Sequence, residues 1–226
     1  MRERGDLTVL HEPFMYHHYL TQSDRMFPDF RPEPGHPQTY AEIRAHIRAE
    51  AETRAVFFKD MAYYIVDDLP EDAGFPGEMT HAFLIRDPAE AALSYARRDP
   101  EFTKTELGYE AQHRLYEALV AAGWSPMVMT ADQVRTQPEE TLRRYWAHVG
   151  LPYVADAFTW DDRTPEGWEA VAEWHETALS SGEMKPPEAR DFAAELAALG
   201  PPYTDYADHH RPFYEALKEI AEAHQK

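Results

Sequence analysis

The sequence predicts an α/β fold, a parallel sheet flanked by helices with a helical C-terminal extension. Three observations predict it. Short strand-like runs recur at 7–10, 55–58, 80–85 and 126–130, and their length suits strands rather than helices. Longer stretches between them alternate as helices, the order that gives a parallel sheet covered on both faces. Beyond residue 155 the strand-like runs stop and the chain reads as helical and acidic. The expected organisation is an α/β core over 1–155 and a helical extension over 156–226 that packs on it.

Taken in order, Leu7-Thr8-Val9-Leu10 is a buried strand entering His11-Glu12-Pro13-Phe14. Pro28, Pro32, Pro34, Gly35 and Pro37 mark a surface loop. Thr39 caps a helix to about Thr53, with Glu42 at the capping-box position. Ala55-Val56-Phe57-Phe58 is the second strand and ends at Lys59-Asp60. Residues 67–79 read as loop. Thr80 to Ile85 is the third strand, and Arg86-Asp87-Pro88 stops it. Asp87 is the N-cap and Pro88 the first position of a helix to about Arg98. A single helix is expected over 105–122, ended by Gly123. Pro126 to Thr130 is the fourth strand. A helix over 137–149 carries Leu142, Tyr145, Trp146 and Val149 on one face and stops at Gly150. Helical pieces near 166–180, 187–199 and 207–225 complete the chain.

Composition bounds the function. The chain has 226 residues, 43% hydrophobic and 28% charged, a mix that can build a core and argues against global disorder. Lys and Arg total 22 against 41 Asp and Glu, a net charge of −19. Such a surface repels nucleic acid and anionic membranes, so neither is expected as a partner. An anionic ligand then needs its cations gathered in one pocket. Cysteine is absent, which removes disulfides, zinc–thiolate sites and cysteine nucleophiles. No apolar stretch reaches membrane-spanning length, and no apolar segment follows the charged N-terminus as in a secretory signal. A soluble cytoplasmic protein is the expectation.

Open parallel sheets bind ligands beyond the carboxyl ends of their strands. That rule points to His11-Glu12, Lys59-Asp60 and Arg86-Asp87-Pro88. The most informative segment is Phe83-Leu84-Ile85-Arg86-Asp87-Pro88-Ala89-Glu90-Ala91-Ala92-Leu93-Ser94-Tyr95. Arg86 ends a strand and Ser94 lies two turns into the next helix, so a guanidinium fork and a neutral hydroxyl can share one phosphate. The structural alternative is an Arg paired with Asp87 or Asp99.

This segment resembles the 3′-phosphate-binding motif of the sulfotransferases that use 3′-phosphoadenylyl sulfate (PAPS). That motif has Arg-Asn/Asp-Pro at a strand end and Ser eight residues after the Arg. Leu10-His11-Glu12-Pro13-Phe14 is similar to the Glu-Pro-Phe element of bacterial sulfotransferases, and Val56 to Asp60 to the strand ending in a Lys near the transferring group. Pro126 to Gly150 is similar to the family's late strand and helix. The likeness covers roughly 5–155. It implies a P-loop NTPase-type fold, PAPS as sulfuryl donor and a small-molecule acceptor with a hydroxyl or amine. It also implies Arg86 and Ser94 on the 3′-phosphate, Lys59 balancing charge and Glu12 as base, with no metal. The cytosolic eukaryotic branch places a basic His where this chain has Met61, which moves the base role to Glu12 or a nearby His.

The family opens with a strand and a Ser/Thr/Gly-rich loop that cradles the 5′-phosphosulfate at a helix N-terminus. Met1 to Gly5 resembles the tail of the helix after that loop, so an N-terminally shortened fold is expected. The favoured explanation is a recorded start about thirty residues inside the gene product. The other is native shortening with loss of donor binding, which leaves a non-catalytic nucleotide- or protein-binding protein. A kinase on the same fold is disfavoured because no Walker lysine motif occurs.

Other residues carry two readings each. Glu12 is a base or a helix N-terminal charge, and Lys59 a catalytic cation or a partner of Asp60. His17-His18 help deprotonate the acceptor or bind metal, the latter weakened because adjacent residues face different ways on a helix. His209-His210, near Asp205 and Asp208, are a metal cluster or a solvated helix start. Tyr63 and Tyr64 line an acceptor pocket or pack as core. Trp168 and Trp174, with Val171 between, are core or a substrate platform. Ser180-Ser181-Gly182 is an acceptor-side loop or a helix C-cap. No Gly-x-Ser-x-Gly elbow or His-Glu-x-x-His helix is present.

Overall fold

A computed structural model describes residues 1–28, 30–160 and 190–224. Trp168, Val171, Trp174, the Ser180-Ser181-Gly182 segment and the helix expected over 166–180 lie outside the described residues. The chain divides into two compact units. One holds residues 1–68 and the described residues 154–160. The other holds residues 69–153 and 190–224.

In the first unit, β1 (Thr8–His11) and β2 (Val56–Lys59) form a parallel pair, with His11 opposite Lys59. Between them lies α1 (Tyr40–Ala51), opened by the capping box that Thr39 and Glu42 predict. Its Ile43 and Ile47 are buried. They are four residues apart and therefore on one face. After β1 the chain makes a helical turn (Met15–His17) that widens into a single π turn over His18–Gln22. Phe14, Tyr16, Tyr19, Phe30, Tyr63 and Tyr64 are buried; ring contacts link the last five, such as Tyr63 on Tyr64 at 4.7 Å, and Phe14 meets Tyr40 and Phe58.

In the second unit, β3 (Ala82–Ile85) and β4 (Met127–Thr130) form another parallel pair, with Ile85 opposite Thr130. All of β4 is buried, whereas β3 buries Phe83 and Ile85 and exposes Ala82 and Leu84. Asp87 caps α2 (Pro88–Arg98), its carboxylate accepting the N–H groups of Ala89 and Glu90. The single helix expected over 105–122 is two, α3 (Lys104–Leu107) and α4 (Tyr109–Ala121). Gly108 separates them at φ 84°, a left-handed conformation that only glycine adopts without cost.

Directly after β4 comes α5 (Ala131–Thr136), then α6 (Pro138–His148), α7 (Phe192–Leu199) and α8 (Tyr203–Ala223). The helix α8 packs on α2, α4 and β4, with Ala207, His210, Tyr214, Leu217 and Ala221 buried. That spacing of three and four residues is one apolar face. Trp146 of α6 is 1% exposed, and α6 packs on β4. No helix among the described residues is long and apolar enough to cross a membrane.

Candidate active site

Parallel pairing of β1 with β2 sets Glu12 beside Lys59. The Glu12 N–H donates to the Lys59 carbonyl at 3.0 Å, one step beyond the last strand pair. The chain then turns sharply. Glu12 has φ 43°, the only non-glycine residue with positive φ among those described. A side chain there costs of order 1–3 kcal/mol unless its surroundings hold it. They do. The Glu12 carbonyl accepts the Met15 N–H at 3.0 Å, and the Asp60 carboxyl (Oδ1) accepts the Phe14 N–H at 3.1 Å. Both strand ends therefore clamp the Glu12-Pro13-Phe14 turn.

The clamp aims the Glu12 carboxylate at Lys59 and Tyr64. Lys59 Nζ donates to Oε1, and the Tyr64 hydroxyl donates to Oε2 at 3.1 Å. The Glu12 side chain is 13% exposed and that of Lys59 50% exposed, so the lysine head reaches in from solvent. Burial raises the Glu12 pKa, but Lys59, His11 and the two hydrogen bonds outweigh it and hold the carboxyl below its ordinary value. Burial pushes Asp60 well above the usual carboxylate range, and the Glu12 charge adds to it. Its Oδ2 is shut off from solvent and has no hydrogen-bond partner among the described residues. The Lys59–Asp60 pair that adjacency suggests does not form; Glu12 takes the lysine.

In the second unit the ends of β3 and β4 hold a different arrangement. Arg86 leaves β3 with its side chain 32% exposed and Nη1 4.0 Å from Glu90 Oε1. Its carbonyl accepts the Tyr109 hydroxyl at 2.5 Å. Glu90 and Ser94 are four residues apart on α2, hence on one face, and Arg86 approaches that face at Glu90. Ser94 is half-buried. Asp87 does not pair with Arg86. Arg211 of α8 takes it, at 2.5 and 3.3 Å, and these bonds hold Asp87 below its ordinary pKa against its burial.

Glu12 and Lys59 are thus brought together in the first unit, whereas in the second Arg86 meets Glu90, the residue one helical turn before Ser94 on α2. Three relevant residues escaped the sequence reading: Asp60 as the clamp of the Glu12 turn, Arg135 on Glu90, and Arg211 on Asp87. None has a local signal, because each partner lies 45 to 124 positions away.

The histidine pairs have other partners. His17 contacts Asp68, Thr21 and Gln22, and the His18 ring lies against Tyr19, Tyr63 and Tyr64. His209 meets Glu110 at 2.9 Å, while buried His210 bonds the Lys104 carbonyl and the Glu110 N–H. Among the described residues no three His, Asp or Glu side chains converge as a metal site.

A family model described as a sulfotransferase domain matches residues 1–221. The chain is similar to branched-chain-amino-acid aminotransferase-like protein 2 of Arabidopsis thaliana, 26% identical over 189 residues, 82% of this chain and 33% of that protein. The like-named protein 1 of the same plant is 31% identical over 91 residues, 38% of this chain and 16% of that protein. The chain thus spans about a third of the length of the first of these relatives. No solved structure matches.

Proposed function

Because the chain belongs to the sulfotransferase domain family, we propose that it transfers a sulfuryl group from PAPS to the hydroxyl or amine of a small acceptor. In this reading Glu12 is the base, Lys59 balances charge on the transferring group, and Arg86 with Ser94 holds the 3′-phosphate.

The observation that carries the reading is the Glu12–Lys59 pair at adjacent strand ends. The donor supplies a sulfuryl group already activated by its anhydride link to phosphate. The rest falls to positioning and electrostatics. The acceptor proton goes to the Glu12 carboxylate as the new S–O or S–N bond forms. The sulfur–oxygen bond to the leaving phosphate breaks, and its electron pair stays on that phosphate.

The ion pair gives this sequence a physical logic. At rest Lys59 keeps Glu12 ionised and a weak base. When the half-exposed ammonium turns toward charge developing on the leaving oxygen, Glu12 loses its main opponent to burial. Its proton affinity rises at the step that needs a base. Tyr64, on Oε2, keeps the carboxylate oriented meanwhile.

The residues proposed for the nucleotide fit a phosphate. Arg86 meets its nearest carboxylate only at 4.0 Å, so its fork has donors to offer. Ser94 adds a neutral donor one helical turn beyond Glu90.

Titration with adenosine 3′,5′-bisphosphate tests the assignment. Arg86→Ala is expected to weaken binding by about 2–3 kcal/mol, the worth of a lost charge-assisted bond. Unchanged affinity overturns it. Bisphosphate binding that depends on Arg86, without sulfate transfer to any hydroxyl or amine acceptor, would favour a nucleotide-binding protein instead.

A further inference from the structure

The environment of Arg86 raises a question that the phosphate role leaves open. In a chain of net charge −19, an arginine directly before Asp87 and four residues before Glu90 should be captured by one of them. Asp87 is held by Arg211 and by the N–H groups of Ala89 and Glu90. Glu90 is held by Arg135, whose Nη1 lies 2.9 Å from Oε1. Arg86 reaches that same oxygen only at 4.0 Å. Glu90 is 12% exposed, so water screens it little and an unmatched charge there would be costly.

Topology explains how Arg135 gets there. Ile85 pairs with Thr130 across the two parallel strands. Arg86 and α5 therefore start from the same end of the sheet, and Arg135 reaches back from α5 to α2. Two arginines from neighbouring strand ends bracket one carboxylate, and the closer of them satisfies it.

We propose that Arg135 is a positioning residue for the phosphate site: by occupying Glu90 it keeps that carboxylate from closing on Arg86, and leaves the Arg86 guanidinium open to an external phosphate dianion. This rests on the phosphate role proposed for Arg86. It makes Glu90 an internal competitor of the ligand and Arg135 the group that disarms it. Removal of Arg135 would let Glu90 draw Arg86 the short distance into a closed pair, and the phosphate would then have to break that pair to bind.

The test compares affinity for adenosine 3′,5′-bisphosphate with affinity for adenosine 5′-monophosphate, which lacks the 3′ group. The ratio isolates the 3′-phosphate. It is measured by calorimetry at one ionic strength on the full chain, on Arg86→Ala, Arg135→Ala and Glu90→Gln, and on the Glu90→Gln/Arg135→Ala pair. Arg135→Ala is expected to cut the ratio about tenfold. Glu90→Gln alone should preserve or raise it, and the double variant should recover it. Should Arg135→Ala not fold, Arg135→Met, which keeps most of the side-chain stem, carries the same expectation. An unchanged ratio in Arg135→Ala overturns the proposal. So does a loss that Glu90→Gln fails to rescue, because a direct phosphate ligand or a merely structural residue would behave that way. If wild type shows no preference for the bisphosphate, or Arg86→Ala keeps it, the Arg86 reading itself fails. If Arg86→Ala loses the preference and Arg135→Ala does not, only the role of Arg135 fails.

Discussion

The ends of β1 and β2 and the ends of β3 and β4 present the same sequence pattern, a basic and an acidic residue where a parallel strand stops, yet they resolve it in opposite ways. In the first unit Lys59 ignores its neighbour Asp60 and pairs with Glu12 across the strands. The result is a neutralised couple beside a carboxyl that burial pushes toward its uncharged form. In the second unit Arg86 stands off from its acidic neighbours because Arg135 and Arg211 engage them more closely. The first arrangement ties a half-exposed ammonium directly to a nearly buried carboxylate; the second leaves a guanidinium 4.0 Å from a carboxylate that another arginine holds more closely. A couple that can open suits proton transfer, and a loosely engaged fork suits a phosphate. The difference comes from long-range partners, not from the residues at the strand ends.

The sharpest way to break this comparison is to separate chemistry from binding. Glu12→Gln is expected to lower sulfate transfer by about 10²–10⁴-fold, the usual worth of a positioned base. It should leave bisphosphate affinity as it was. Loss of both together would mean that the two ends do not divide the labour. Lys59→Met sharpens the same point through pH. Without the ammonium, burial acts on Glu12 with less opposition and its pKa rises. The acid limb of the rate profile, where Glu12 becomes protonated, should move to higher pH. An acid limb that stays in place would assign that titration to another group.

Much of this was legible in the sequence, and the rest was hidden for one physical reason. Strand ends at Glu12, Lys59 and Arg86 follow from short runs and stop signals. The Thr39 and Asp87 caps follow from local side-chain chemistry, since a cap acts over two or three residues. Gly108 breaks the helix expected over 105–122, with a left-handed turn that its residue type permits. The start of α5 carried a readable signal as well: Thr130 and Gln133 form the same kind of capping box as Thr39 and Glu42. Pairing was not legible. Adjacency suggests Lys59 with Asp60 and Arg86 with Asp87, whereas the fold supplies Glu12 to Lys59 and Arg211 to Asp87. The nearest charge in sequence is seldom the nearest in space once strands pair in parallel, because their ends gather residues separated by whole helices.

Asp60 provides a smaller but more diagnostic effect. Its pKa in the folded chain is raised. Its stabilising contribution is therefore complete at acid pH and is lost as pH rises from the ordinary carboxyl range through the folded-state value. Glu12, whose pKa is lowered, has the reverse sign: its contribution is present above the ordinary range and is lost as pH falls through the folded-state value. Asp60→Asn keeps an oxygen for the Phe14 N–H and cannot ionise. Relative to wild type it should gain stability as pH rises toward neutrality. Chemical unfolding across the acid-to-neutral range checks this, and a pH-independent difference between the two proteins would show that Asp60 ionises freely in the folded chain.

The smallest effects compare the two units through one motif. In the capping boxes of Thr39 and Thr130 the threonine hydroxyl accepts the N–H three residues on, at 3.3 Å for Thr39 and 3.1 Å for Thr130, and the Glu42 carboxylate or Gln133 amide oxygen accepts the threonine N–H in return. Thr39 is exposed, so water can replace its hydroxyl when Thr39→Ala removes it, and the cost should be about 0.5–1 kcal/mol. Thr130 is 6% exposed at the end of β4. There the bond to the Gln133 N–H is part-buried, water replaces the lost hydroxyl less readily, and the cost should approach about 2 kcal/mol. The Thr130 loss should also weaken bisphosphate binding, because the same cap sets the start of the helix from which Arg135 reaches Glu90. Equal destabilisation in the two variants, with binding unaffected in both, would mean that the buried cap is no more than a second copy of the exposed one.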